Sequence, residues 1–324
     1  MVPLNLPNFL TVVRILLVPV LIVALLATAP AAHARTQVRV GIADQQIAMF
    51  GAPAYKALHL KITRYFIRWD ARSHPADLAA ADAFVKEARR DHVRVLMHIS
   101  TNTFVKKRAH LPSVRQYRSD VGFLVRRYRK LGVREWGTWN EENHVTQPTW
   151  KSPARAAQFF KVMRGLCRGC SIVALDVLDQ AGVKSYIQRF YRALGRSYAR
   201  RFARIVGIHN YSDTNRASHH GSGTRTIINA VRASSGSHPQ FWMTETGGVV
   251  NFGRSFPCNE NRASSAVARM FGLARSYRRD VKRLYVYNWT GSNCNGFDTG
   301  LTRADGSLRP AYATFKRYMG SFTR

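Results

Sequence analysis

The chain has 324 residues and carries 50 Lys and Arg against 18 Asp and Glu, so its formal net charge is +32. A hydrophobic fraction of 46% excludes a disordered chain and indicates a globular protein with a full core. The charge favours polyanionic partners such as nucleic acid, anionic lipid or an acidic wall polymer, unless it only reflects a general preference for arginine.

The first 34 residues are predicted to be a targeting segment. Arg14 precedes the apolar run ILLVPVLIVALLATAP, which ends in the small-residue sequence AHA at Ala32–Ala34. These are the parts of a secretory signal peptide, and cleavage would follow Ala34. A retained membrane anchor is the alternative, because the run from Phe9 to Ala32 approaches the roughly 20 residues that span a bilayer. The protein is therefore expected to be secreted or held at the cell surface, with membrane association only through this segment.

The leader also resembles another class of protein. The stretch NLPNFLTVVRILLVPVLIVALL is similar to the start of bacterial phosphatidylglycerophosphate synthases, of the CDP-alcohol phosphotransferase family. Those enzymes carry a metal-binding motif, DGxxAR followed by GxxxD, and the nearest fragment here, DGSLRP at Asp305–Pro310, does not match it. We therefore interpret the stretch as a hydrophobic leader only.

Eight short apolar segments follow the leader and are predicted to be β-strands separated by amphipathic helices. The strands are VRVGIAD (38–44), ITRYFIRW (62–69), VRVLMHIS (93–100), VREWGTWN (133–140), SIVALDVL (171–178), RIVGIHNY (204–211), PQFWMTET (239–246) and KRLYVYNW (282–289). Eight such units predict an α/β fold, a (β/α)8 TIM barrel, as one domain over residues 35–324. An open doubly wound sheet is the alternative, but GIADQQIAMFG lacks the G-x-G-x-x-G pattern of its dinucleotide-binding form.

The four cysteines fit export. Cys258 and Cys294 could pair between two loops, and Cys167 and Cys170 form a close CRGC pair. Zinc is the alternative for CRGC, but the sequence has no second CxxC or paired-histidine motif to complete such a site. An oxidising compartment favours disulfides.

Polar residues end several of the predicted strands, where a (β/α)8 barrel builds its active site. Strand four finishes in Asn140 and Glu141, strand six in His209 and Tyr211, and strand seven in Glu245. The two glutamates are therefore expected to meet at one mouth. Because Asn140 and Glu141 are neighbours, both can point inward only at a bulge or a strand end.

Two carboxylates at one site are the groups that glycoside hydrolysis requires. One protonates the leaving oxygen, and the other attacks the sugar carbon or activates water. Trp289, at the end of strand eight, would offer a flat apolar face to a sugar ring. His209 and His98, at the ends of strands six and three, are expected to contact substrate.

An ordered set of short motifs resembles clan A of the retaining glycoside hydrolases. These are WNE at Trp139–Glu141, HNY at His209–Tyr211, TE at Thr244–Glu245 and NW at Asn288–Trp289. YNW followed by DTGL and DGSLRPAY also resembles families 5 and 39 of that clan. The resemblance covers nearly all of residues 38–324, and it implies the same barrel fold.

The resemblance implies that Glu141 is the acid/base and Glu245 the nucleophile. It also implies contacts around them: Arg64 and Tyr211 at the nucleophile, Asn140 at the sugar 2-hydroxyl, and Trp289 at the floor of the subsite for the reacting sugar. One departure is that these families often have NEP where this sequence has NEE, so Glu142 could disturb the acid/base or contact substrate.

The sequence therefore predicts an exported retaining glycoside hydrolase that cleaves β-glycosidic bonds of a poly- or oligosaccharide with two glutamates. The pKa of Glu141 is expected to be raised, in part by the charge of Glu245. We expect no metal, no cofactor and no specific nucleic-acid partner. The protein is expected to be a monomer. The alternatives are a non-catalytic barrel that binds wall polysaccharide and a surface protein that binds polyanions.

Overall fold

A computed structural model describes residues 36–324, and the predictions for the leader, including its resemblance to phosphatidylglycerophosphate synthases, fall outside these residues. Eight parallel strands close into a barrel, because β1 pairs with both β2 and β8. The strands are β1 Thr36–Ala43, β2 Ile62–Arg68, β3 Arg94–Ser100, β4 Glu135–Gly137, β5 Ser171–Leu178, β6 Ile205–His209, β7 Gln240–Thr246 and β8 Val281–Tyr287. The short β9, Phe322–Thr323, adds to β1. The predicted TIM barrel is confirmed.

Helices surround the barrel. They are α1 Ala48–Gly51, α2 Pro53–Lys56, α3 Pro75–Arg90, α4 Val114–Lys130, α5 Pro153–Leu166, α6 Val183–Leu194, α7 Arg196–Phe202, α8 Tyr211–Asn215, α9 Ser222–Ser235, α10 Glu260–Ser276 and α11 Pro310–Met319. Proline begins α3, where the first turn needs no backbone donor. Ser113 and Gln116 form a capping box at the start of α4, each bonding the other's backbone N–H.

The strand faces divide the core into an outer and an inner layer. On β8, Leu284 and Val286 pack outward into the large cluster beneath the helices, whereas Tyr285 belongs to a small cluster inside the barrel. On β6, Val206 and Ile208 likewise point outward. This alternation follows from the period of two along a strand, and it directs the polar partners in these strands into the barrel.

Both predicted cysteine pairs are bonded in the structure. Cys167 and Cys170 are joined with their Cα atoms 5.5 Å apart, and Cys258 and Cys294 with theirs 5.6 Å apart. The second bond connects the loop after β7 to the loop after β8 at the barrel mouth. Within residues 36–324, none of the helices combines the length and the apolar character needed to cross a bilayer.

Candidate active site

Side chains from β2, β4, β6 and β7 converge at the mouth of the barrel. Glu141, His209 and Glu245 each offer one ligand-type atom, and these three atoms lie within 4.8 Å of one another. The two glutamates are 104 positions apart in the chain, yet parallel strands bring their carboxyl ends to the same rim. The predicted meeting of the two carboxylates is therefore present in the fold.

The chain leaves the barrel early at β4, which ends at Gly137 rather than at the predicted residue 140. Glu141 follows in a bend with a φ of 46°, a left-handed conformation that few residues other than glycine adopt. This irregular backbone lets both neighbours face the site: Asn140 accepts a hydrogen bond from Arg64, and Glu141 contacts His209. The predicted strand end beside the acid/base candidate is confirmed.

Glu245 is held from two sides. The Arg64 Nη1 atom lies 2.8 Å from its Oε2, and the Tyr211 hydroxyl donates to its Oε1 at 3.0 Å. Arg64 is fully buried and also donates to Asn140 Oδ1 and, at 3.0 Å, to His98 Nδ1. Both contacts to Glu245 match those implied by the resemblance.

Glu141 is paired with His209, whose Nδ1 lies 3.1 Å from its Oε1. Burial alone would raise the pKa of Glu141, but the hydrogen bond and the charge of His209 outweigh burial and lower that pKa. This corrects the expectation that the Glu141 pKa is raised. The cause is the positive charge of His209, which the expectation based on the two glutamates alone did not include.

Asp176, near the end of β5, is the partner that keeps His209 charged. Its Oδ2 lies 2.8 Å from His209 Nε2, and Thr244 donates to its other oxygen. Burial would lower the pKa of His209, but the carboxylates of Asp176 and Glu245 raise it to about 10. Gly207 makes room for this carboxyl group, since a Cβ there would lie 1.7 Å from Asp176 Oδ1.

Comparisons with known proteins identify solved structures with a similar fold. No protein-family model and no curated protein sequence matches the chain. Among solved structures, a glucosidase from Croceicoccus marinus superimposes with a TM-score of 0.61 and 12% identity, over 88% of this chain and 66% of that one. A xylanase from Paenibacillus barcinonensis gives 0.60 and 14%, over 89% and 99% of the two chains, and a xylanase from Thermotoga maritima gives 0.59 and 11%, over 88% and 95%.

The chain shares the (β/α)8 barrel fold of these solved glucosidase and xylanase structures. The fold implied by the motif resemblance is thus confirmed. The sequence identity to these structures is too low for a substrate to be inferred from them. The roles of the individual side chains must therefore be argued from their geometry.

Two expected substrate contacts lie elsewhere. His98 is fully buried under Arg64, and burial lowers its pKa to about 3, so it supports Arg64 instead of facing a sugar. Trp289 is only 4% exposed and packs against Tyr55 and Tyr312 in the outer core. The physical reason for the second correction is that β8 ends at Tyr287, so the strand alternation stops before Trp289.

His209 was also expected to contact substrate, and it too is buried. Its ring is fully buried between Asp176 and Glu141, so it holds the acid/base candidate instead of presenting a nitrogen to substrate. Tyr211 remains partly exposed beside Glu245. Of the predicted substrate contacts, Arg64, Tyr211 and His209 contact one of the two carboxylates, and Asn140 and His98 contact Arg64.

Aromatic rings to which the sequence analysis assigned no substrate contact line the mouth. Tyr287 is partly exposed, and the ring of Phe297, which is 40% exposed, lies 6.4 Å from it and 5.3 Å from Tyr211. Phe66 and Phe104 extend the row on the other side of Tyr287, with ring centroids 6.0 Å apart. The available signal was the alternation on β8, which puts Tyr287 on the inner face with Tyr285.

Glu142, the departure from the family pattern, turns away from the mouth. It is fully buried, and its Oε2 accepts from the backbone N–H of Asp176. Burial and the nearby Asp176 charge raise the pKa of Glu142 well above its usual range, which favours the neutral form of the side chain. It neither contacts the mouth nor places a second negative charge beside Glu141.

The three clustered groups also have a spacing that would suit a metal ion. Two positive charges already neutralise these carboxylates, the Arg64 guanidinium on Glu245 and the His209 imidazolium beside Glu141. A cation would have to displace or deprotonate these partners before it could bind. The expectation of a metal-free reaction is compatible with this charge balance and stays a prediction.

Proposed function

We propose that the protein is an exported retaining glycoside hydrolase that cleaves β-glycosidic bonds of an oligo- or polysaccharide. The observation that carries this proposal is the approach of Glu141 and Glu245 to within 4.8 Å through one oxygen of each. Retaining enzymes place their two carboxyl groups about 5–5.5 Å apart, whereas inverting enzymes leave about 6.5–9.5 Å for a water molecule. The spacing therefore supports double displacement.

In the first step Glu245 attacks the anomeric carbon, and the bond from that carbon to the leaving oxygen breaks. Glu141 donates its proton to that oxygen, and a glycosyl ester on Glu245 results. In the second step Glu141 takes a proton from water, the hydroxide oxygen bonds to the anomeric carbon, and Glu245 leaves as a carboxylate. Arg64 and Tyr211 stabilise that carboxylate at both ends of the cycle.

The surroundings of the two glutamates support a sugar as the substrate. The amide oxygen of Asn140 accepts a hydrogen bond from Arg64. The amide nitrogen of Asn140 can therefore donate to a hydroxyl group of the reacting sugar. Tyr287 and Phe297 offer ring surface at the mouth, where the C–H faces of sugar rings can pack. The leader and the two disulfides support export, because disulfides persist in oxidising compartments.

A panel of aryl β-glycosides tests the proposal, beginning with the β-xyloside and the β-glucoside because the structural neighbours are named as xylanases and a glucosidase. We expect turnover of at least one member, with the β-anomer of the sugar as the first product in an NMR time course. First release of the α-anomer would exclude the retaining mechanism. A polysaccharide-binding barrel would retain sugar without releasing aryl alcohol, and a polyanion-binding protein would show salt-sensitive binding without sugar preference.

The His209–Glu141 pair makes a prediction for the pH dependence of kcat/KM. Glu141 must be protonated to donate, and a lowered pKa leaves it ionised over more of the pH range. We therefore expect kcat/KM to be highest in acidic solution and to fall as the pH rises through this lowered pKa. His209→Gln removes the cation, so the Glu141 pKa rises and the alkaline limb of the profile moves to higher pH.

The measurement is the pH profile of kcat/KM for wild type and the His209→Gln variant with one aryl glycoside. His144→Gln is the matched control, because His144 Nδ1 lies 3.8 Å from Glu141 and should move the limb in the same direction by less. An unmoved limb in His209→Gln, in a variant whose circular dichroism matches wild type, would contradict the assigned pairing.

A further inference from the structure

The two ends of the barrel differ in charge. Every strand begins at the end opposite the mouth, and we call the surface formed there by the connections that precede β3, β4, β5, β6 and β8 the basic face. Basic side chains are exposed in these connections or at the ends of the helices and strands that they join. Examples are Arg94, Lys130, Arg134, Arg168, Arg204 and Arg279.

The acidic residues of this face are already paired. Glu87 and Asp91 both contact Arg90, and Glu135 is bonded to Arg283. These ion pairs use the carboxylates available near the start of β3 and β4. The remaining basic side chains of the face thus keep their charge without a local counter-ion.

Uncompensated charge is concentrated before β4. Among the residues that the structure describes, Arg129, Lys130 and Arg134 are exposed and form no ion pair within 4.0 Å. Repulsion between positive charges also affects Arg39 nearby. Burial and the positive charges of Arg94 and Arg283 lower its pKa. Charges of one sign that are held together in this way attract a partner that supplies many anions at once.

Basic residues are exposed at both ends, but the mouth also holds many carboxylates, among them Asp44, Asp176, Asp213, Glu245 and Asp298. Basic residues do favour the last turns of helices. Arg134 and Arg204, however, lie in the connections beyond those turns.

The basic face contains depressions that its basic residues line. Two adjoining depressions of 760 and 430 Å³ share Arg129, Lys130 and Arg134. In residues 36–324, the large apolar side chains that are exposed all follow a strand and so lie toward the mouth: Ile47, Phe104, Val105, Phe252, Phe297 and Leu308. The basic face therefore lacks the exposed aromatic rings on which single-stranded nucleic acid stacks.

The course of the chain favours lipid over nucleic acid. Thr36 begins β1 on the basic face, and in the sequence the apolar run of Phe9 to Ala32 comes shortly before it. Basic residues next to an apolar segment interact with anionic headgroups. We propose that the basic face binds the anionic headgroups of a membrane surface, which leaves the mouth directed away from the membrane.

The test uses the full chain and vesicles of phosphatidylcholine with or without phosphatidylglycerol, in a sedimentation assay. Wild type should bind the anionic vesicles more tightly, and added salt should weaken that binding. The R129E/K130E/R134E variant should lose on the order of 100-fold in partition, since each basic residue near an anionic surface contributes about 1 kcal/mol. R129Q/K130Q/R134Q gives a second measurement should the charge reversal prevent folding.

The matched control is K106E/K107E/R108E, which makes the same change of charge in an exposed loop at the mouth. It should keep most of the wild-type partition. Equal losses in the two variants would overturn the proposal, because they would show an effect of net charge alone. No preference for phosphatidylglycerol would also overturn it, as would displacement from the vesicles by duplex DNA that binds through the same three residues.

Discussion

Glu245→Gln should abolish turnover of an aryl β-glycoside, with a loss in kcat on the order of 10⁶-fold, the scale reached when a covalent nucleophile is removed. The amide cannot form the glycosyl ester. It keeps the size of the side chain, and its oxygen can still accept from the Tyr211 hydroxyl, 3.0 Å away in the wild type. The measurement is the initial rate of aryl alcohol release, beside a thermal unfolding curve that reports whether the barrel is intact.

Asp305→Asn is the control for this variant, because it removes one carboxylate from an exposed turn in the loop after β8. It should retain the wild-type rate. The smaller Glu245→Ala variant adds a stereochemical outcome, since azide can enter the space left by the carboxylate and attack the anomeric carbon directly. That attack gives the α-glycosyl azide, and a β-azide product would exclude Glu245 as the nucleophile.

The fold could be predicted because its signals are local. Each strand is a short apolar run with alternating faces, and each of the longer helices has a proline, a capping residue or a glycine at a boundary. The meeting of Glu141 and Glu245 followed from one topological rule, that parallel strands of a barrel end at the same rim. The contacts of Arg64 and Tyr211 with the nucleophile candidate were instead implied by the resemblance to clan A.

The network behind Glu141 could not be predicted from the same rule. Asp176 was visible as a single acid in an apolar strand, but its partner depends on distances across the barrel. The missing side chain of Gly207 lets Asp176 approach, and the 2.8 Å contact then holds His209 in its charged form. The direction of the Glu141 pKa follows from that second contact and not from any spacing in the sequence.

The aromatic residue of the mouth depends on a single strand boundary. Trp289 shares the parity of Tyr287 only if β8 continues for two more residues, and the strand ends at Tyr287. Backbone bonds from Trp289 and Thr290 to Asp44 then turn the chain back over β1, which carries the indole into the outer core. The ends of strands are the part of a fold that sequence predicts least precisely. Here the end of β8 decides that Tyr287, and not Trp289, lies at the mouth.

Adjacent glutamates with opposite environments provide the second large expected effect. Glu141→Gln should lower kcat/KM by about 10²–10⁴-fold, the usual contribution of general acid catalysis. The loss should be greatest for glycosides with poor leaving groups, because these need the proton most. Glu142→Gln should stay near wild type, since the raised pKa of the buried Glu142 favours its neutral form and a glutamine oxygen can still accept from the Asp176 backbone N–H.

The comparison of these two variants separates chemistry from structure, because each makes the same substitution at neighbouring positions. The measurement is kcat/KM across aryl glycosides of graded leaving-group pKa. Glu141→Gln should steepen the dependence on the leaving group, and Glu142→Gln should leave the slope of wild type. If both variants lost activity equally and without a change in slope, the loss would reflect the loop after β4 and not proton donation. If azide were to restore Glu141→Ala turnover with a β-glycosyl azide product, attack would have occurred on the glycosyl ester of Glu245, and both glutamates would keep their proposed roles.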